Sequence, residues 1–145
     1  MSFSAKVKGE ICRYTDISKE EALAELSAIM KGSGTIGFSG KGLSFRITTE
    51  NPASARHIFT ILKEHFDIHS KLMVKKSNSL KKNNIYMVLI DEEMGVRDLL
   101  QETGIFKEID GVLTIDYKID PEMVKTEEYK KAYIRGAFYW WWKCN

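Results

Sequence analysis

The sequence predicts an α+β fold in which one antiparallel four-stranded sheet, made from two hairpins, is covered on one face by helices. Two observations carry this prediction. Along the chain the apolar spacing changes twice from the helical period to strict alternation and back. Each alternating region is a pair of short runs around a polar or glycine-rich turn, the pattern of a hairpin. Hairpins separated by helices close most simply into a single sheet with a helical layer. A length of 145 residues suits one core.

Taken in order, Phe3, Val7 and Ile11 recur among polar residues and predict a short amphipathic helix over about 4–13. Ser18-Lys19-Glu20-Glu21 is a capping box, and Ala22, Leu23, Leu26, Ile29 and Met30 follow at helical spacing until Gly32 and Gly34. Thr35-Ile36-Gly37-Phe38 and Leu43-Ser44-Phe45-Arg46-Ile47-Thr48 alternate around Gly40-Lys41-Gly42, the first hairpin. Pro52, then Ala55, Ile58, Phe59, Leu62 and Phe66, predict a long helix over 52–66. The second hairpin pairs Lys71–Lys75 with Ile85–Ile90 around a polar, lysine-bearing tip. Val96, Leu99, Leu100 and Ile105 mark a helix near 95–103, ended at Gly104. Residues 106–125, with Asp110-Gly111 and Pro121, read as a connector, and 126 to about 142 as a last helix. On this reading nothing remains to form a second sheet.

Composition bounds the function classes. The net charge of +2 conceals 14 Lys/Arg against 8 Asp/Glu in residues 1–90 and 8 against 12 in residues 91–145. A basic first part fits a surface that meets nucleic acid, although ordinary solvated faces produce the same asymmetry. No run is apolar enough to span a bilayer and no apolar segment follows the first lysines, so a cytoplasmic protein without a membrane partner is expected. Cys12 and Cys144 lie at opposite ends of the sequence, neither a disulfide framework nor a metal knuckle.

Two helices carry small residues at packing intervals. Ala24, Ala28 and Gly32 form a row at four-residue spacing, and Ala132 and Gly136 offer a matching row in the last helix. Small side chains let two backbones approach closely, although alanine and glycine also serve as plain helix fillers. The stretch Leu26-Ser27-Ala28-Ile29-Met30-Lys31-Gly32-Ser33-Gly34 resembles a degenerate LAGLIDADG motif, and Tyr133-Ile134-Arg135-Gly136-Ala137-Phe138 resembles the start of a second copy. With Ser2-Phe3-Ser4 and Val7-Lys8, these segments resemble the N-terminal domain of the WhiA family, bacterial transcription regulators of sporulation and cell division. The resemblance implies a LAGLIDADG homing-endonuclease-like fold. In the family a helix-turn-helix domain follows, which does not appear in this chain. The implied organisation is a first repeat over 1–105, a connector over 106–125 and the truncated start of a second repeat over 126–145. The sequence departs from the family after Phe138, where Tyr139-Trp140-Trp141-Trp142 replace the usual small residues.

Homing nucleases of this class hold divalent cations with one acidic residue near the end of each motif helix, and metal-assisted phosphodiester cleavage cannot spare those oxygen anions. By alignment Ser33 takes the first of these positions and Trp141 the second. The expectation is a non-catalytic domain with no cofactor and no metal. His57, His65 and His69 hint at a metal site, but the glutamate of HExxH is missing, and exposed or capping histidines are the plainer reading. The positive signal is the second hairpin. Lys71, Lys75, Lys76, Lys81 and Lys82 occur without an acid between residues 70 and 90. In the saddle-like nucleases the sheet faces DNA, so these lysines are candidate contacts to duplex DNA, weak and salt-dependent. A lysine-rich tip that guards an edge strand gives the same pattern. A protein partner, or a homodimer formed through the aromatic-rich final helix, is also expected from this sequence.

Overall fold

The computed structural model describes residues 17–76 and 84–144, with side chains described up to Phe138. The helix expected over 4–13, Cys12, Lys81, Lys82 and the aromatic side chains from Tyr139 to Trp142 lie outside the described residues.

Helix α1 spans Lys19–Ser33. Ser18 caps it: its hydroxyl accepts from the Glu21 amide at 3.1 Å and donates to the Glu21 carboxylate. The reciprocal bond of a capping box is thus made to the hydroxyl of Ser18 and not to its amide. The helix runs through Gly32 and ends where the Gly34 N–H reaches the Met30 carbonyl, so that Gly34 is also the first residue of strand β1, Gly34–Ser39. β2 (Gly42–Thr49) turns back along it. Helix α2 (Pro52–Phe66) begins at Asn51, whose side chain accepts from the Ala53 amide, and stops at Asp67 in a left-handed conformation. β3 (Lys71–Lys75) and β4 (Ile85–Asp91) complete an antiparallel sheet of order β1-β2-β4-β3. A 3-10 turn at Glu92–Met94 leads into the short helix α3, Val96–Glu102.

Register decides what each face of the sheet presents. Ile36 lies opposite Phe45 and Phe45 opposite Ile90, while Ile47 lies opposite Val88. These side chains point at the helices and join Leu26, Ile29, Met30, Ile58, Leu62, Leu99 and Leu100 in the main core. Helix α1 is enclosed on two sides. One side enters this core, and the other meets helix α4 (Glu127–Cys144), the largest contact between elements among the described residues.

One expectation is corrected. A second sheet does form, within the connector over 106–125: β5 (Phe106–Ile109) pairs with β6 (Val112–Ile115), and a 3-10 turn follows at Pro121–Val124. Asp110 and Gly111 both take positive φ, at 53° and 77°, the conformation of a tight two-residue hairpin loop. The Asp-Gly signal was therefore a hairpin turn. It escaped reading as one because β5 carries two charged residues in four and lacks clear alternation.

Gly136 of α4 sits directly on α1. A Cβ there would overlap the Glu25 carbonyl oxygen and stand 2.9 Å from the Ala28 Cβ. Ala24 and Ala132 are fully buried beside it, with Met123, Leu23, Tyr129 and Tyr133 around them. Gly32 closes the row in the last turn of α1, half-buried. Gly136→Val should therefore destabilise the protein by about 3 kcal/mol or more in urea unfolding, because backbone cannot yield as a flexible side chain can. Gly40→Ala, where the added carbon meets nothing within 4 Å, should stay within about 0.5 kcal/mol of the parent.

Candidate nucleic-acid interface

The face of the four-stranded sheet turned away from the helices is open. Across it Thr35 lies opposite Arg46, Arg46 opposite Leu89, and Leu89 opposite Lys71. One step along, Thr48, Met87 and Met73 form a second row, and Ile85 and Lys75 a third. Arg46, Lys71 and Lys75 thus share a face and are exposed, while Met73, Met87 and Leu89 are half-buried between them. Among the described residues no carboxylate comes within ion-pair distance of these three cations. Lys76 follows β3, also exposed.

The lysines alone were singled out from the sequence. Arg46 was missed, although the alternation Leu43, Phe45, Ile47 already placed it on the face opposite the core. The sequence could not show that β2 and β3 flank the same strand, because that depends on β4 inserting between them.

The second feature lies behind the sheet. Glu25, fully buried in the middle of α1, accepts from His57 Nε2 of α2 at 2.6 Å and from Arg135 Nε of α4 at 2.9 Å, one partner on each carboxylate oxygen. A buried carboxylate is tolerable only when paired and hydrogen-bonded, and here three helices supply the group and its two partners. His57 is only 3% exposed, which corrects the expectation of exposed or capping histidines. Its position on the inner side of α2, next to Ile58 and Ile61, was legible, but its partner lies 32 residues away. His69 fits the plainer reading, exposed beside Asp67 at 3.5 Å.

Ser33 closes α1 where the resemblance places the first acidic residue. It offers a neutral hydroxyl, and the nearest charge on that turn is cationic: Lys31, whose ammonium donates to the Lys118 carbonyl at 2.6 Å. Burial lowers the Lys31 pKa, an effect opposed by the nearby Asp120 carboxylate. These donors do not fit a divalent cation, which needs several hard oxygen anions. Among the described residues no three His, Cys, Asp or Glu side chains cluster as metal ligands.

Comparison with known proteins supplies the family. Residues 19–106 match the WhiA N-terminal LAGLIDADG-like domain. The chain belongs to the WhiA family. It is 76% identical over 138 residues to the probable cell division protein WhiA of Clostridium beijerinckii and 60% identical over 139 residues to that of Clostridium novyi. Each alignment covers 95% of this chain and 44% of the relative, so the chain spans less than half the length of these WhiA proteins. Among solved structures it is similar to the N-terminal LAGLIDADG domain of DUF199/WhiA, with a TM-score of 0.61 and 19% identity over 95% of this chain and 57% of the other. Full-length DUF199/WhiA from Thermatoga maritima gives 0.58 and 16%, over 96% and 39%. At those identities the likeness concerns the fold, which is LAGLIDADG-like.

In a WhiA-family chain with this arrangement, Glu25→Ala should cost about 3 kcal/mol or more in urea unfolding, because Arg135 and His57 lose the charge they were placed against. Arg135→Met should also destabilise. The Glu25→Met, Arg135→Met pair should lose at least about 1 kcal/mol less than Glu25→Met and Arg135→Met measured singly and added, since neither of those two charges then faces a missing partner.

Proposed function

We propose that this chain is a non-catalytic LAGLIDADG-like module of a DNA-binding transcription regulator acting in cell division and sporulation, and that the open sheet face meets duplex DNA. The observation that carries the reading is the cross-strand arrangement of Arg46, Lys71 and Lys75 on one exposed face. Cations on a pleated surface can track successive phosphates, which gives affinity without reading sequence. Sequence specificity would then come from the helix-turn-helix domain that the family carries elsewhere, by a recognition helix in the major groove. The relatives named probable cell division protein support the cellular role. Nucleoid association in the cytoplasm belongs to the same proposal.

The absence of catalysis rests on chemistry. Ser33 stands where a carboxylate would hold the metal. Among the described residues Glu25 is the one carboxylate buried between the two motif-bearing helices, and it is already engaged by His57 and Arg135. The chain is therefore expected to leave duplex DNA intact in Mg²⁺ or Mn²⁺; metal-dependent cutting abolished by Ser33→Ala would overturn the assignment.

A second reading has its own support. Met73, Met87 and Leu89 lie among the cations, and such half-buried apolar groups suit a protein surface better than a phosphate backbone. Salt separates the two readings. DNA binding should weaken steeply with salt, and changing Lys75, Lys76, Lys81 and Lys82 together to Ala should flatten the slope of log K against log salt by up to about four. Arg46→Ala should flatten it by about one. Slopes unchanged by all five substitutions would favour the protein-docking face.

A further inference from the structure

The two sheets treat their edges differently. An edge strand presents unpaired N–H and C=O groups, and proteins commonly guard such strands with lysine, proline or charge. β3, an edge of the large sheet, has Lys71 and Lys75 within it and Lys76 just beyond. β6 has no charge within it, and the Asp116 just beyond it is turned to Lys107 of β5. Its residues Val112, Leu113, Thr114 and Ile115 are uncharged, and among the described residues β5 is the only strand paired with it. A two-stranded ribbon by itself is marginal in water, so an edge like this gains from further pairing.

Apolar exposure is concentrated at the same place. Val112 is 63% exposed, Leu113 49% and Ile115 48%; Val112 and its β5 neighbour Ile109 lie on one face of the ribbon, Leu113 and Ile115 on the other. Both faces of the ribbon at this edge therefore keep apolar side chains in the open, so a strand added there would find apolar neighbours on either side. β1 is also an uncharged edge, but Gly34 and Gly37 leave it little side chain to bury, and of its residues only Phe38 is a largely exposed apolar group.

We propose that β6 is a self-association edge, which pairs with β6 of a second copy to join two β5–β6 ribbons into one four-stranded antiparallel sheet. A second copy fits because a two-fold axis normal to the ribbon sets the strand antiparallel to itself and keeps each face on the same side. Directly opposed residues must then share a face. An axis through Leu113 places Leu113 against its own copy and Val112 against Thr114 of the other chain. A strongly charged segment would find no complementary charge on β6, whereas an identical uncharged strand meets its match at every position.

The test uses the full chain with Cys12→Ser and Cys144→Ser, followed by sedimentation velocity from micromolar to submillimolar concentration. This parent is expected to dimerise. Leu113→Lys and Val112→Lys, each at an exposed position, are expected to be monomers with an unchanged far-ultraviolet circular dichroism spectrum. Leu113→Cys in the same background should form a covalent dimer on mild oxidation, while Glu108→Cys, on β5, should not. A parent that stays monomeric throughout would overturn the proposal and leave this surface to another partner. A dimer that survives both lysine substitutions would overturn it as well, and would place association elsewhere, such as the final helix.

Discussion

The close approach of α4 to α1 holds this fold in place. Gly136 brings the two backbones together at Glu25, and the side chain of that same residue lies buried with a carboxylate to satisfy. Close approach and charge pairing are therefore solved by neighbouring residues. Gly136 lets α4 come near, and Arg135, one position before it, delivers a guanidinium to Glu25 Oε1. His57 reaches the other oxygen from α2. A helix held in this way on one side can give its other side wholly to the core, as Leu26, Ile29 and Met30 do.

From that fixed helix the sheet follows. α1 passes into β1 without an intervening loop, so its orientation sets the strand direction and which side of the sheet it covers. Ser27 adds a second anchor: its hydroxyl donates to the Thr103 carbonyl at 2.8 Å and ties the end of α3 to α1. With one face filled by helices, the other is left for Arg46, Lys71 and Lys75. The proposed DNA contact is thus a consequence of helix packing on the far side of the sheet, not an independent device.

The second sheet is tied to the same frame through the end of α1. Lys31 donates to the Lys118 carbonyl, and Asp116 pairs with Lys107 at 3.3 Å while its backbone N–H reaches the Ile105 carbonyl. The Lys118 amide beside Asp116, with Lys107 adding to it, holds that carboxyl below its usual range. The base of the ribbon is therefore fixed by polar contacts and by buried Phe106, whereas its β6 side keeps apolar side chains in the open. Ser33 occupies the end of α1, and Lys31 braces the strap that leaves the second ribbon.

The local elements are legible from the sequence alone. The Ser18 cap, Pro52 at a helix start and the change of apolar period specify α1, α2 and the two large hairpins through interactions within a few residues, which a linear reading can see. The sequence also specifies the small-residue rows, because these depend on residue type at a spacing. Which residues meet depends on packing across the whole fold. Glu25 reads as one more polar position in a helix until Arg135, 110 residues away, and His57 close on it. Arg46 joins Lys71 only because β4 lies between their strands. The β5–β6 ribbon was hidden for a related reason: its strands are four residues long, and what fixes them is the pairing of Lys107 with Asp116 and the burial of Phe106, contacts that no local propensity encodes.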